Sequence, residues 1–151
     1  MLPPSLLVQI SGSIICHLKL ASVAWCNVFG SYKEDLHWTK TTAGEIPKQV
    51  QEDFRQRVLS ETGFILERWE TYQKDMMDFR NKYIAHFDLY KPFNGPIPSF
   101  DPALQVVYAY DEWVRNLSKP SIWEQPKLSL EYERFNAEAS SVIKIFFPRS
   151  K

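Results

Sequence analysis

Between Phe64 and Tyr90 the chain carries neither proline nor glycine, and apolar residues recur at Ile65, Trp69, Tyr72, Met76, Phe79 and Tyr83. Steps that alternate between four and three residues mark one face of a helix. The spacing predicts a long amphipathic helix, and three residues further along the same stripe stands His86, an imidazole where the pattern asks for a hydrophobe.

The same test yields four more helices. From about Pro4 to Phe29, residues such as Leu6, Ile10, Ile14, Leu18 and Trp25 cover most of the circumference, which predicts a helix buried on several sides and closed by Gly30 as its C-cap. His17 falls on one of its stripes and is expected as an internally bonded core histidine. A second helix, opened near Pro47 by a first-turn proline, runs to about Glu61 with Ile46, Val50, Phe54 and Val58 inward. Asp101 and Pro102 form a cap and first turn for a helix to about Ser118, with Ala103, Val107, Tyr110, Val114 and Leu117 inward. A last helix spans about Lys127 to Phe147 through Leu128, Tyr132, Phe135, Ala139, Val142 and Phe146, and Pro148 stops it.

Between these elements lie a polar connection from Ser31 to Glu45, a stretch from Lys91 to Pro98 with three prolines and a glycine, and a break from Lys119 to Pro126. Proline and glycine at such density forbid continued helix. No alternating strand run and no repeat is visible. The expectation is an all-α fold, a bundle of about five helices forming one domain over residues 1–151.

Composition agrees and narrows the chemistry. With 44% hydrophobic and 15% aromatic residues, five of them Trp, the chain has the material for a bulky core. Eighteen basic residues balance eighteen acidic ones, so no overall field draws in phosphate and any nucleic-acid binding must rest on a local patch. Cys16 and Cys26 lie ten residues apart on one predicted helix, about 15 Å by rise alone. That is too far for a mutual disulfide and fits a reducing cytoplasm. The opening from Met1 to Leu18 is uncharged but lacks a basic leader and is interrupted by Pro3, Pro4, Gln9, Gly12 and His17, which argues against a targeting or membrane segment.

No C-x-x-C, H-x3-H, Gly-rich phosphate loop or G-x-S-x-G elbow occurs, so the motifs that hold metals and common cofactors are missing. In the connection after the first helix, Tyr32, Lys33, His37, Trp38 and Lys40 mix aromatics with bases. Such a mixture can hold single-stranded bases, or the Trp can simply tuck against the domain.

What remains is the stretch Arg80-Asn81-Lys82-Tyr83-Ile84-Ala85-His86-Phe87-Asp88 at the end of the best helix. It resembles the R-x4-6-H motif of the HEPN (higher eukaryote and prokaryote nucleotide-binding) superfamily, with a polar residue after the Arg and five residues between Arg80 and His86. The wording is similar to the R-N-K-x-x-A-H-x-D form of the abortive-infection-associated branch. The resemblance implies a helical fold and a homodimer centred on the motif. It also implies metal-independent RNA cleavage of the toxin–antitoxin or phage-defence kind, with an antitoxin protein as partner and no cofactor; some members are non-catalytic. It assigns Arg80 to the phosphate and His86 to proton transfer, with Asn81 supporting. Asp88 stands in reach to orient His86, and Lys82 and Tyr83 are candidate substrate contacts.

The residue chemistry is sufficient for that reaction. A neutral imidazole can take the 2′-hydroxyl proton, an imidazolium can protonate the leaving 5′-oxygen, and a guanidinium can hold the phosphate bidentately. On an ideal helix, however, six residues at about 100° each set Arg80 and His86 about 120° apart. Either the helix is distorted near its end or a second copy completes the site. Two structural readings stand beside this one: His86 as a helix-terminal cation, and Arg80 paired with Asp75, Asp78 or a neighbouring helix. The alternatives to a ribonuclease are a non-catalytic RNA- or nucleotide-binding module and a structural or protein-interaction bundle.

Overall fold

A computed structural model describes residues 4–41, 44–84, 97–117 and 124–146. Five α-helices account for nearly all of its regular structure: α1 (Pro4–Phe29), α2 (Lys48–Thr62), α3 (Leu66–Phe79), α4 (Asp101–Leu117) and α5 (Leu128–Phe146). A five-residue π-helix (Arg80–Ile84) continues α3. Before α2, a minimal antiparallel pair, β1 (Lys40–Thr41) and β2 (Gly44–Glu45), joins Lys40 to Glu45 and Thr41 to Gly44. The protein is an all-α helical bundle. Among the described residues, no helix is long and apolar enough to cross a membrane.

The core is built from rings. Phe54 of α2 is 2% exposed and lies 4.8 Å, centroid to centroid, from both Trp38 and Trp113 of α4. Phe29 of α1 meets Tyr110 edge-on at 5.3 Å, and Trp25 meets Trp69 of α3 at 6.1 Å. Edge-to-face and tilted pairs at these separations are the favoured arrangements of aromatic quadrupoles. The predicted stripe of α3 is buried at Trp69, Tyr72, Met76 and Phe79, whereas Ile65 at its start is 70% exposed. Phe54 and Val58 of α2 are buried as their spacing requires, as is Ile46 just before the helix, while Val50 packs at the core's edge.

Two stripes turn out rotated or narrower than expected. α4 buries Ala103, Val106, Ala109 and Trp113, while Val107, Tyr110 and Val114 sit at the core's edge and Leu117 is 52% exposed. The large Trp113 ring claims the centre, packed among Trp38, Phe54 and Tyr110. Over residues 16–29, where its side chains are described, α1 is not buried on several sides: Ser22, Cys26 and Phe29 face inward, but Leu20 is 70% exposed and Cys16, His17, Ala21 and Ala24 also reach solvent. His17 is therefore not a core histidine.

Gly63 closes α2 in the left-handed conformation, φ 66°, the usual glycine helix stop. Gly30 serves α1 differently. Its φ is not positive, yet a Cβ there would lie 2.4 Å from the Cys26 carbonyl oxygen and 3.3 Å from Met77 Cγ. Gly30→Ala should thus cost about 1–3 kcal/mol through overpacking, and Gly63→Ala, which meets nothing within 4 Å, about 1 kcal/mol through its backbone conformation alone. Urea unfolding midpoints of the two variants check both the order and the size.

Candidate functional site

α3 runs as a regular helix until the backbone N–H of Arg80, which is shared between the Met76 and Met77 carbonyls. From there the chain widens into the π-helix that carries Arg80, Asn81, Lys82, Tyr83 and Ile84. The sequence-derived alternative of a helix distorted near its end is what the backbone adopts. At the same point the fully buried Cys26 thiol of α1 donates to the Met76 carbonyl at 3.6 Å, which therefore accepts from both Cys26 and the Arg80 N–H.

The neighbouring connection is held by α1's last carbonyls, which need donors from outside the helix. Gly30 N–H donates to Cys26 O at 2.9 Å, Trp38 N–H to Val28 O at 2.9 Å, and Gln73 Nε2 of α3 to Phe29 O at 2.6 Å. This fixes residues 31–38 across the end of α1. Two backbone bonds, Glu34 N–H to Ser31 O at 3.0 Å and His37 N–H to Glu34 O at 3.2 Å, then turn the Glu34 carboxylate toward Arg80.

Arg80 donates from both terminal nitrogens to one oxygen of Glu34, at 3.3 and 3.5 Å. Its side chain is 18% exposed, and its Nε is buried with no acceptor among the described residues. The guanidinium therefore sits at a junction of α1, the 31–38 connection and the π-helix. Among the described residues it pairs with neither Asp75 nor Asp78 nor a neighbouring helix. Asp78 instead accepts from Lys82 Nζ at 2.9 Å. Asn81 and Lys82 are exposed; Tyr83 belongs to the π-helix. His86 and Asp88 lie outside the described residues, as does the turn containing Phe93.

Glu34 and Cys26 are the residues that the sequence reading missed. Glu34 stands in a polar connection without periodicity, and its approach to Arg80 spans 46 positions. Burial pushes the Cys26 thiol up to about 11, against the pull of the Arg80 charge.

The aromatic connection has settled inward. Trp38 is 6% exposed, and its ring carries the Arg55 guanidinium at 5.4 Å. His37 is buried with Nδ1 2.7 Å from Thr39 Oγ1. Burial first, then Lys40 and Arg55, push its imidazole below 6.5. Tyr32 stays exposed with Lys40 Nζ 4.8 Å above it. Among the described residues, no three His, Cys, Asp or Glu side chains are grouped so as to hold a metal ion.

Two titrations check these environments. At neutral pH a thiol reagent should label the exposed Cys16 promptly and Cys26 only on unfolding. Because the folded state holds the Cys26 proton more tightly than the unfolded chain, stability should fall as pH rises from 9.0 toward 11. His37 works at the other end: it stays neutral in the fold while the unfolded chain takes up a proton below 6.5, so stability is lost as pH falls through that value. The loss between pH 7 and 5.5 should be smaller in His37→Gln, measured by urea unfolding. Comparison of the chain with protein-family models, curated proteins and solved structures gives no match.

Proposed function

We propose that the chain is a metal-independent endoribonuclease of the HEPN kind, in which Arg80 holds the scissile phosphate and His86 transfers protons. In this reading it works as a homodimer with both motifs facing one groove, in a toxin or phage-defence setting with an antitoxin protein as partner. The 2′-hydroxyl oxygen attacks phosphorus as its proton passes to an imidazole. The P–O5′ bond breaks, and the 5′-oxygen takes a proton from an imidazolium, leaving a 2′,3′-cyclic phosphate. A two-fold groove supplies two imidazoles, one for each proton.

The observation that carries the reading is the π-helix beginning at Arg80. Such widening is rare and is frequently found at functional sites, and here it coincides with the motif. The Arg80–Glu34 contacts add support. At 3.3 and 3.5 Å to a single oxygen, they are longer than the 2.7–2.9 Å of a tight charge-assisted pair. A substrate phosphate can replace Glu34 at modest cost, and the exposed Asn81 and Lys82 stand beside it. The same ion pair favours a second reading, in which Arg80 is a structural cation and the bundle binds RNA or protein without cleaving.

Incubating mixed RNA with purified protein in EDTA separates the readings. Cleavage should appear, and Arg80→Ala or His86→Ala should lower it on the order of 10²-fold or more. Glu34→Gln, which keeps a hydrogen-bonding partner but removes the opposing charge, should tighten RNA binding. Equal inactivity of all four proteins would sink the ribonuclease reading, and retained RNA binding would then point to the non-catalytic module.

A further inference from the structure

The aromatic and basic residues of the connection after α1 take no part in the chemistry proposed for Arg80, yet they border a cavity. It measures about 230 Å³ and lies between the connection, α2 and α3. Trp38 and Trp69 are rings in its wall, His37 and Gln73 bring polar atoms, and Tyr32 and Arg55 bring an exposed ring and a cation. Sites for drug-sized molecules run to about 300–1,000 Å³, so this one suits a single flat ring.

The polar atoms around it are mostly donors. Thr39 N–H donates to His37 Nδ1 at 3.4 Å, so Nδ1 is the unprotonated nitrogen and the ring proton is assigned to Nε2. His37 is 7% exposed and Trp69 9%. Neither His37 Nε2 nor Trp69 Nε1 is bonded among the described residues, and neither atom is sealed from solvent. Donors held in so buried a setting are costly to leave without an acceptor. Gln73 supplies the complement: its Nε2 is committed to the Phe29 carbonyl at 2.6 Å, which leaves its Oε1 to accept. The Arg55 guanidinium, 5.4 Å above the Trp38 ring, adds positive charge at the same wall.

A ligand that answers this set is planar, offers more acceptors than donors and carries one N–H. Uracil has such an edge, two carbonyl oxygens flanking one N–H on a single ring. Cytosine would turn an amino group toward donors, and a purine adds a second ring. We propose that this cavity is a uracil pocket, in which His37 Nε2–H and Trp69 Nε1–H donate to the two carbonyl oxygens and Gln73 Oε1 accepts from the ring N–H. The aromatic walls add the stacking that holds unpaired bases. Gln73 and Arg80 are seven residues apart, which on a regular helix is about 10 Å of rise and within about 20° of one face. One strand can therefore set a uridine in the cavity and a nearby phosphate at Arg80. That shared placement rests on the ribonuclease reading, whereas the pocket itself does not.

The Trp indole signals of the full chain, followed by nuclear magnetic resonance, test the pocket directly. Uridine monophosphate should move the Trp38 and Trp69 signals more than those of Trp25 and Trp113, whose Nε1 atoms are shut away. Adenosine monophosphate should bind ~10-fold more weakly, and oligouridylate ~10-fold more tightly than the mononucleotide. Trp69→Phe keeps a ring but removes one donor, and His37→Phe removes the other. Each should weaken uridine monophosphate ~10-fold, with helical circular dichroism unchanged. Absence of shifts, equal affinity for adenosine monophosphate, or the same shifts with inorganic phosphate alone overturns the pocket and leaves cleavage at Arg80 standing. Uridine monophosphate binding without RNA cleavage upholds the pocket and removes only the ribonuclease reading. Oligouridylate that binds no tighter than the mononucleotide overturns the shared strand and assigns the pocket to a free uridine nucleotide.

Discussion

The carbonyl end of α1 is the constraint on which the arrangement around Arg80 depends. Helix termini leave acceptors that must be satisfied, and here the donors come from Gly30, Trp38 and Gln73, three different parts of the chain. Meeting that demand pins the 31–38 connection over the helix end, seats Trp38 in the aromatic core and brings Glu34 to Arg80. Gly30 is part of the same constraint, since only a residue without Cβ fits between the Cys26 carbonyl and Met77.

Electrostatics around Arg80 follow from the same packing. The chain as a whole is neutral, so attraction for an anion has to be local, and locally the one guanidinium at the motif is opposed by one carboxylate. A guanidinium this close to a fully buried thiol still leaves Cys26 protonated, because burial outweighs the charge. His37 shows the same ordering of effects with the opposite outcome for its proton: burial comes first and the nearby Lys40 and Arg55 second, and the ring is kept neutral.

The two ends of the bundle contrast in how well they are closed. Around Phe54, rings from α1, α2, α4 and the 31–38 connection fill the interior. Along α5 and the outer face of α1, apolar side chains remain in water.

Helix number, type and approximate ends were legible in the sequence, except at the C-terminal end of the motif helix, whose expected stretch to Tyr90 passes beyond the described residues, because apolar periodicity and Pro/Gly punctuation act over a few residues and obey fixed helix geometry. The buried stripe of α3 and the inward residues of α2 were legible for the same reason. Which way α4 turns, that α1 is covered on one side over residues 16–29, and that His17 faces outward were decided by tertiary packing, where Trp113 and Phe54 take a centre that no local pattern reveals. At the candidate site, Arg80, Asn81 and Lys82 could be picked out from the resemblance of their stretch to the R-x4-6-H motif. The Glu34 partner and the Cys26 thiol on the Met76 carbonyl could not, since each is a contact between residues about fifty positions apart. Local sequence sets what each helix can bury, and only the assembled fold sets which polar groups meet at its ends.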